Sequence, residues 1–235
     1  VILDGVGIGA LPDAKSYGDE GAHTLRHIAE RVKGLSLPTM ARLGLGAICD
    51  IPGVGVPESL VGSYGKMNEV SAGKDTTTGH WEIAGLHLKN PFSLFPNGFP
   101  KKLIDDFITE TGVKNILGNK AASGTEIIRE LGEEHLKTSF PIVYTSADSV
   151  FQVACHESLF PLNTLYRLCE VARRLCDPYA IGRVIARPFS GTAADDFVRT
   201  PYRKYFSYAL PGPTVLDGLK ERSIEVIGIG KIEDI

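Results

Sequence analysis

Between Lys101 and Ala186, short apolar runs alternate with longer segments whose apolar residues recur at helical spacing. That alternation restricts the fold to a layered α/β arrangement, because each helix has one apolar side and needs a sheet to cover it. Leu103, Ile104, Phe107 and Ile108 mark one side of a helix expected over 101–110, a second helix follows from Thr125, and a third covers 163–175. Strands are expected over 141–145, 151–155 and 183–186. Pro91, Pro96, Asn97, Gly98 and Pro100 read as a linker into this pattern. Beyond a loop over 190–203, a helix near 214–220 and a strand over 224–229 restore the rhythm of the opening. There, Val1–Leu3 reads as a buried strand delivering Asp4, 24–32 as a helix and the Gly- and Pro-rich 44–62 as loop. The organisation expected is a core α/β domain beginning over 1–91, an inserted α/β domain over 92–205, and a return to the core over 206–235.

Composition works by exclusion. The 235 residues carry a formal charge of −3 with no basic run, which points away from nucleic acid and anionic membranes as partners. No apolar stretch approaches the ~20 residues that cross a bilayer, and Asp4 interrupts the first apolar run too early for a signal peptide. Cys49, Cys155, Cys169 and Cys176 lack metal-ligand spacing and read as free thiols, so a cytoplasmic location is expected. The first residue is Val and not Met, so the chain is expected to be a piece of a longer protein with part of its site elsewhere.

The richest chemistry lies in Gly73-Lys74-Asp75-Thr76-Thr77-Thr78-Gly79-His80-Trp81-Glu82. A Gly-Lys-Asp loop feeds three threonines at a helix start, where free backbone N–H groups and the positive end of the helix dipole suit a phosphate. The bland alternative is a threonine N-cap without chemistry. Gly5–Ala10 formally fits a G-x-G-x-x-A dinucleotide turn, but Pro12 follows at once and Asp4 would repel a pyrophosphate. The same segment also reads as a plain turn, or as a strand end presenting Asp4 to a metal ion. His23 and His27 stand four apart, as a metal pair or, more simply, as a solvated helix face. Tyr144–Ser149 form a polar cluster after a strand, and Arg183, Arg187, Arg199 and Arg203 surround a Pro- and Gly-rich loop. Arginines and hydroxyls of this kind suit a sugar phosphate, although surface arginines are also common.

ILDGVGIGALPDA, YGDEGAHTLRHIAE, GKDTTTGHWEIAG, FPNGFP, GNKAASGTEII, YTSADSVFQVACHE, GRVIARPF and VRTPYRKYF follow one another along the whole sequence. Together they resemble the phosphopentomutases of the alkaline phosphatase superfamily. The resemblance implies an alkaline-phosphatase-like α/β core, incomplete in this chain, with an inserted α/β cap domain. It implies an isomerase acting as an intramolecular phosphotransferase between ribose 1-phosphate and ribose 5-phosphate, and their 2-deoxyribose equivalents, in nucleoside catabolism. Thr76 matches the phosphoryl-carrying threonine, Asp4 and Thr76 match ligands of a two-manganese site, and a sugar bisphosphate is the implied activator. Ser146, Asp148, Arg183, Ile185 and Arg199 match positions near the ribose phosphate. His23 and Arg26 stand where Asn and Gly are usual. The family's later Asp-x-x-x-x-Gly-His, Asp-His-Gly and Asp-His-Thr motifs do not occur here, so this chain alone is expected to be inactive and a poor metal binder. The competing expectations are a phosphatase or phosphodiesterase of the same superfamily, which would transfer to water, and a non-catalytic sugar-phosphate-binding fragment.

Overall fold

The computed structural model describes residues 2, 3 and 5–233, and the chain divides into two compact units, 1–69 and 70–235. In the first unit, α1 (Thr24–Arg31), α2 (Pro38–Arg42) and α3 (Leu45–Ile48) gather a small core of Ala29, Leu45, Ile51 and Val54. Helix α1 begins at His23, whose imidazole accepts the Arg26 N–H at 3.2 Å; His23 is therefore a cap outside the helix and not one of a pair on its face. The stretch 44–62 is not all loop, since α3 and an Ile51–Val54 bridge fall within it. The strand expected over Val1–Leu3 is not formed at its described residues: Ile2 and Leu3 are 42% and 58% exposed. A buried strand needs ladder partners, and no described residue supplies one. The Asp4 expectation lies outside the described residues.

The second unit opens with α4 (Thr76–Ile83) and continues with α5 (Lys101–Thr111), α6 (Gly124–Thr138), α7 (Leu162–Cys176) and α8 (Val215–Glu221). Its sheet holds β1 (Leu117–Ala121), β2 (Ile142–Thr145), β3 (Val150–His156), β4 (Arg183–Ser190), β5 (Val198–Arg199) and β6 (Lys204–Ser207). The order is β1-β2-β3-β4-β5, with β6 pairing the first half of β4 antiparallel while β5 pairs its end. β1 with β2 and β3 with β4 run parallel, and β2 with β3 runs antiparallel. β1, β5 and β6 were not expected from the sequence: β5 falls within the stretch 190–203 expected as loop, and the Leu-Gly-Asn-Lys-Ala of β1 carries a register shift and a positive φ at Asn119, and alternates weakly. The strand expected over 224–229 is absent, with Ile227 and Ile229 left 72% and 85% exposed, for the same want of partners.

The two faces of the sheet are covered unequally. Val143, Phe151, Val153, Cys155, Val184 and Ala186 point to one side, where Leu103, Ile104 and Phe107 of α5 and Leu165, Leu168 and Cys169 of α7 bury them. Each such aliphatic or aromatic side chain contributes roughly 1.5–3 kcal/mol through burial. On the other side, Ile127 and Ile128 of α6 pack on Ile142, Tyr144, Ala154 and Phe189. Alternation puts Arg183, Ile185 and Arg187 of β4 on that second side. Register extends the row across the sheet: Tyr144 pairs Gln152, Gln152 pairs Ile185, and Ile185 pairs Tyr205. The sheet thus carries an apolar face under α5 and α7 and a face rich in arginine beyond α6.

Two buried histidines tie α6 to the sheet. His135 faces the Phe140 carbonyl through Nδ1 at 2.6 Å, so Nδ1 carries the proton; Nε2 then accepts the His156 N–H at 2.8 Å. Burial pushes the His135 pKa below its usual 6.5.

Candidate active site

Asp75, not a threonine, is the N-cap of α4. Its carboxylate accepts the N–H groups of Thr77 at 2.9 Å and Thr78 at 3.1 Å, and the Thr78 hydroxyl at 2.6 Å. This frees Thr76, the first residue of the helix, from capping. The Thr77 hydroxyl is buried without a hydrogen-bond partner among the described residues, and Thr77 and Thr78 are both fully buried. Of the three hydroxyls, only that of Thr76 belongs to a residue that is not buried. Glu82, one turn on, accepts the N–H groups of Val70 at 2.7 Å and Ser71 at 2.6 Å, which holds the preceding segment against α4. Hydrogen bonding to Ser71 holds the Glu82 carboxyl below its usual range. Trp81 anchors the other side, edge-on to Phe92 at 5.8 Å, which itself meets Tyr208 at 5.6 Å.

Among the described residues, two groups approach the Thr76 hydroxyl. The Lys231 ammonium donates to it at 3.4 Å. His80 Nδ1 lies 3.2 Å away, but the same nitrogen sits 2.6 Å from the Thr76 carbonyl oxygen. A carbonyl only accepts, so Nδ1 carries a proton and has no lone pair with which to take one from Thr76. His80 therefore fixes the first turn, while Lys231 supplies positive charge beside the hydroxyl. Lys231 was not singled out from the sequence; it lies 155 residues further along, beyond the apolar run misread as a strand.

The remaining candidates lie on the arginine face of the sheet. Arg183 is buried and faces Asp148 with 3.7 Å between Nη2 and Oδ2; Asp148 is exposed and donates its N–H to the Ser146 hydroxyl at 3.4 Å. Ile185 is buried two residues along β4. Arg199 ends β5 and borders a cleft of about 420 Å³ with Arg187, Pro188, Thr200, Pro201, Arg203 and Tyr205. Among the described residues no hydrogen bond or ion pair joins Thr76 to Ser146, Asp148, Arg183, Ile185 or Arg199. No group of three or more His, Cys, Asp or Glu side chains gathers to hold a metal ion among the described residues, so these residues by themselves do not fit the implied two-metal centre. No described helix is long and apolar enough to cross a membrane.

No protein-family model matches the chain. The phosphopentomutase of Caldanaerobacter subterraneus is 58% identical over the whole chain, that of Thermotoga petrophila 58% and that of Anaeromyxobacter sp. 56%, matching 59%, 60% and 60% of those proteins' own lengths. The chain is a relative of the phosphopentomutases along its entire length. It spans about 60% of the length of the phosphopentomutases it matches. The likeness to phosphopentomutases spans both structural units: the Thr76 helix start, the arginine face and the residues before Val70 all fall within the matched stretch.

Proposed function

We propose that the full-length protein is a phosphopentomutase that interconverts ribose 1-phosphate and ribose 5-phosphate and the 2-deoxyribose equivalents, with Thr76 as phosphoryl carrier. The observation that carries this reading is the Thr76 hydroxyl itself: at the first residue of α4, released from capping by Asp75, and met by the Lys231 ammonium at 3.4 Å. Phosphoryl transfer needs placement and charge neutralisation more than covalent invention. The helix N-terminus and Lys231 provide positive potential where a phosphoryl group on Thr76 would sit. In the first half-reaction the bond between phosphorus and Thr76 Oγ1 breaks and a bond to a sugar hydroxyl forms; the hydroxyl proton ends on Thr76. The resulting bisphosphate turns, and its other phosphoryl group returns to Thr76. Ser146, Asp148, Arg183, Ile185 and Arg199 hold the pentose and its distal phosphate, the arginines by charge and paired hydrogen bonds.

The proposal includes an alkaline-phosphatase-like core with residues 92–205 as its cap, and closure of that cap would favour a sugar hydroxyl over water. It also includes two manganese ions with Asp4 and Thr76 among their ligands and activation by a sugar bisphosphate; bound metal would lower the pKa of the Thr76 hydroxyl. Since the described residues do not complete a metal shell, no step above runs through the metal. The test is phosphorus NMR of the full-length protein with ribose 1-phosphate. Conversion to ribose 5-phosphate that Thr76→Ala abolishes is expected; free phosphate as the dominant product would overturn the mutase reading in favour of a phosphatase.

A further inference from the structure

The arginine face divides at Tyr205. On one side, Arg183 lies 5.6 Å from the Tyr205 ring and already has the Asp148 carboxylate at 3.7 Å. On the other, Arg203 lies 4.6 Å from the same ring and, with Arg187, Arg199 and Thr200, borders the cleft. None of the cleft's lining residues is acidic, and among the described residues Arg187, Arg199 and Arg203 form no ion pair. Glu157 meets the cleft at Thr200, whose hydroxyl it accepts. Arg187 donates Nε to a neutral acceptor, Gln152 Oε1, at 3.1 Å. Three clustered cations with no ion-pair partner among the described residues repel one another, and an anion that joins them is favoured.

The back of this arrangement also lacks an acceptor. Tyr144 Oη is buried with no hydrogen-bond partner among the described residues, close enough to Arg187 and Arg199 for both charges to act on it. It abuts Gly124, the first residue of the 15-residue α6: a Cβ there would stand 2.7 Å from Tyr144 Oη and 3.6 Å from Arg199 Nη1. Ser123, the N-cap of α6, makes no side-chain cap bond. A buried hydroxyl donor, a helix start without a side-chain cap and three guanidiniums therefore converge, and together they match the several acceptor oxygens and double negative charge of a phosphate.

We infer that Arg187 and Arg203, together with Arg199, form the grip on the distal phosphate of the phosphosugar, and that the Asp148–Arg183 side faces the sugar. An exposed carboxylate would repel a phosphate but accepts sugar hydroxyls well. The inference rests on the phosphopentose reading above, and adds Arg187 and Arg203 to the residues matched by resemblance. A grip made of charge and forked donors also accepts a 1-phosphate or a 5-phosphate alike, as a reaction that exchanges the two ends requires.

The test is calorimetric titration of the full-length protein with ribose 5-phosphate and with inorganic phosphate at fixed ionic strength. Arg203 is exposed, so Arg203→Gln leaves the fold intact; it is expected to weaken both probes roughly ten- to hundredfold. Arg203→Lys is expected to recover part of the loss, because charge returns without the fork. Arg187→Gln, checked for folding by circular dichroism, is expected to act in the same direction. Affinities in both Gln variants within twofold of the parent, with ribose 5-phosphate still bound, would overturn the inference and leave the phosphopentose reading standing. Arg203-dependent binding of inorganic phosphate without any binding of ribose 5-phosphate would do the reverse. Binding of neither probe by the parent protein would overturn both.

Discussion

The start of α4 and the arginine face of the sheet are built on opposite plans. At α4 a single hydroxyl matters, and neighbours in sequence prepare it: Asp75 takes the capping role, Thr77 and Thr78 are buried, and His80 secures the first turn. On the sheet, residues 16 or more positions apart, from Tyr144 through Arg183 to Arg199, meet only because β2, β3, β4 and β5 pair in register. In the proposed function the first is a site for chemistry on one atom, the second a surface for holding charge. Substitutions at α4 should therefore alter turnover or helix stability, and substitutions on the sheet should alter affinity.

The largest effect is expected at Thr76. Thr76→Ala in the full-length protein should lower turnover by at least about a thousandfold, as loss of a covalent nucleophile does. Its melting temperature should hardly move, since Asp75 does the capping; steady-state kinetics with thermal unfolding separates the two readouts. On the sheet, Arg199→Ala should raise KM for ribose 5-phosphate by the equivalent of roughly 1.5–3 kcal/mol while changing kcat much less. A fall in kcat with KM unchanged would break the division between the regions.

The next effect is on stability. Asp75→Ala removes the carboxylate that accepts two backbone N–H groups and leaves the Thr78 hydroxyl unpaired, which should cost about 1–2 kcal/mol in urea unfolding. The smallest effect should come from His135, which belongs to neither region. Its pKa is lowered in the folded protein, so the unfolded chain takes up the proton first as the pH falls below about 6.5. That contribution to stability is complete above 6.5 and is lost toward lower pH, by at most about 1.4 kcal/mol per pH unit. Urea midpoints at pH 7.5 and 5.5 measure it, and His135→Gln should flatten the dependence.

The same contrast explains what the sequence made legible. The GKDTTTGHWE run located the α4 start because its chemistry is local, although it left Asp75 without a role and invited a threonine cap. The helices α1, α5 and α7, and the start of α6, were evident from periodicity to within a residue or two. Leu3 and Ile227 look like strand residues, but a strand exists only with partners, and periodicity does not carry that information. The grouping of Arg187 and Arg203 with Tyr144 depended on register and on a sheet face that α6 leaves partly open. Lys231 depended on a contact across 155 positions, for which no short motif exists.

In the proposed mechanism Thr76, and neither of its neighbours, carries the phosphoryl group. Mass spectrometry of the full-length protein after incubation with a sugar bisphosphate tests it directly. One phosphate is expected, on Thr76, which ribose 5-phosphate then removes; phosphate on Thr77 or Thr78, or turnover with none on Thr76, would rule this mechanism out.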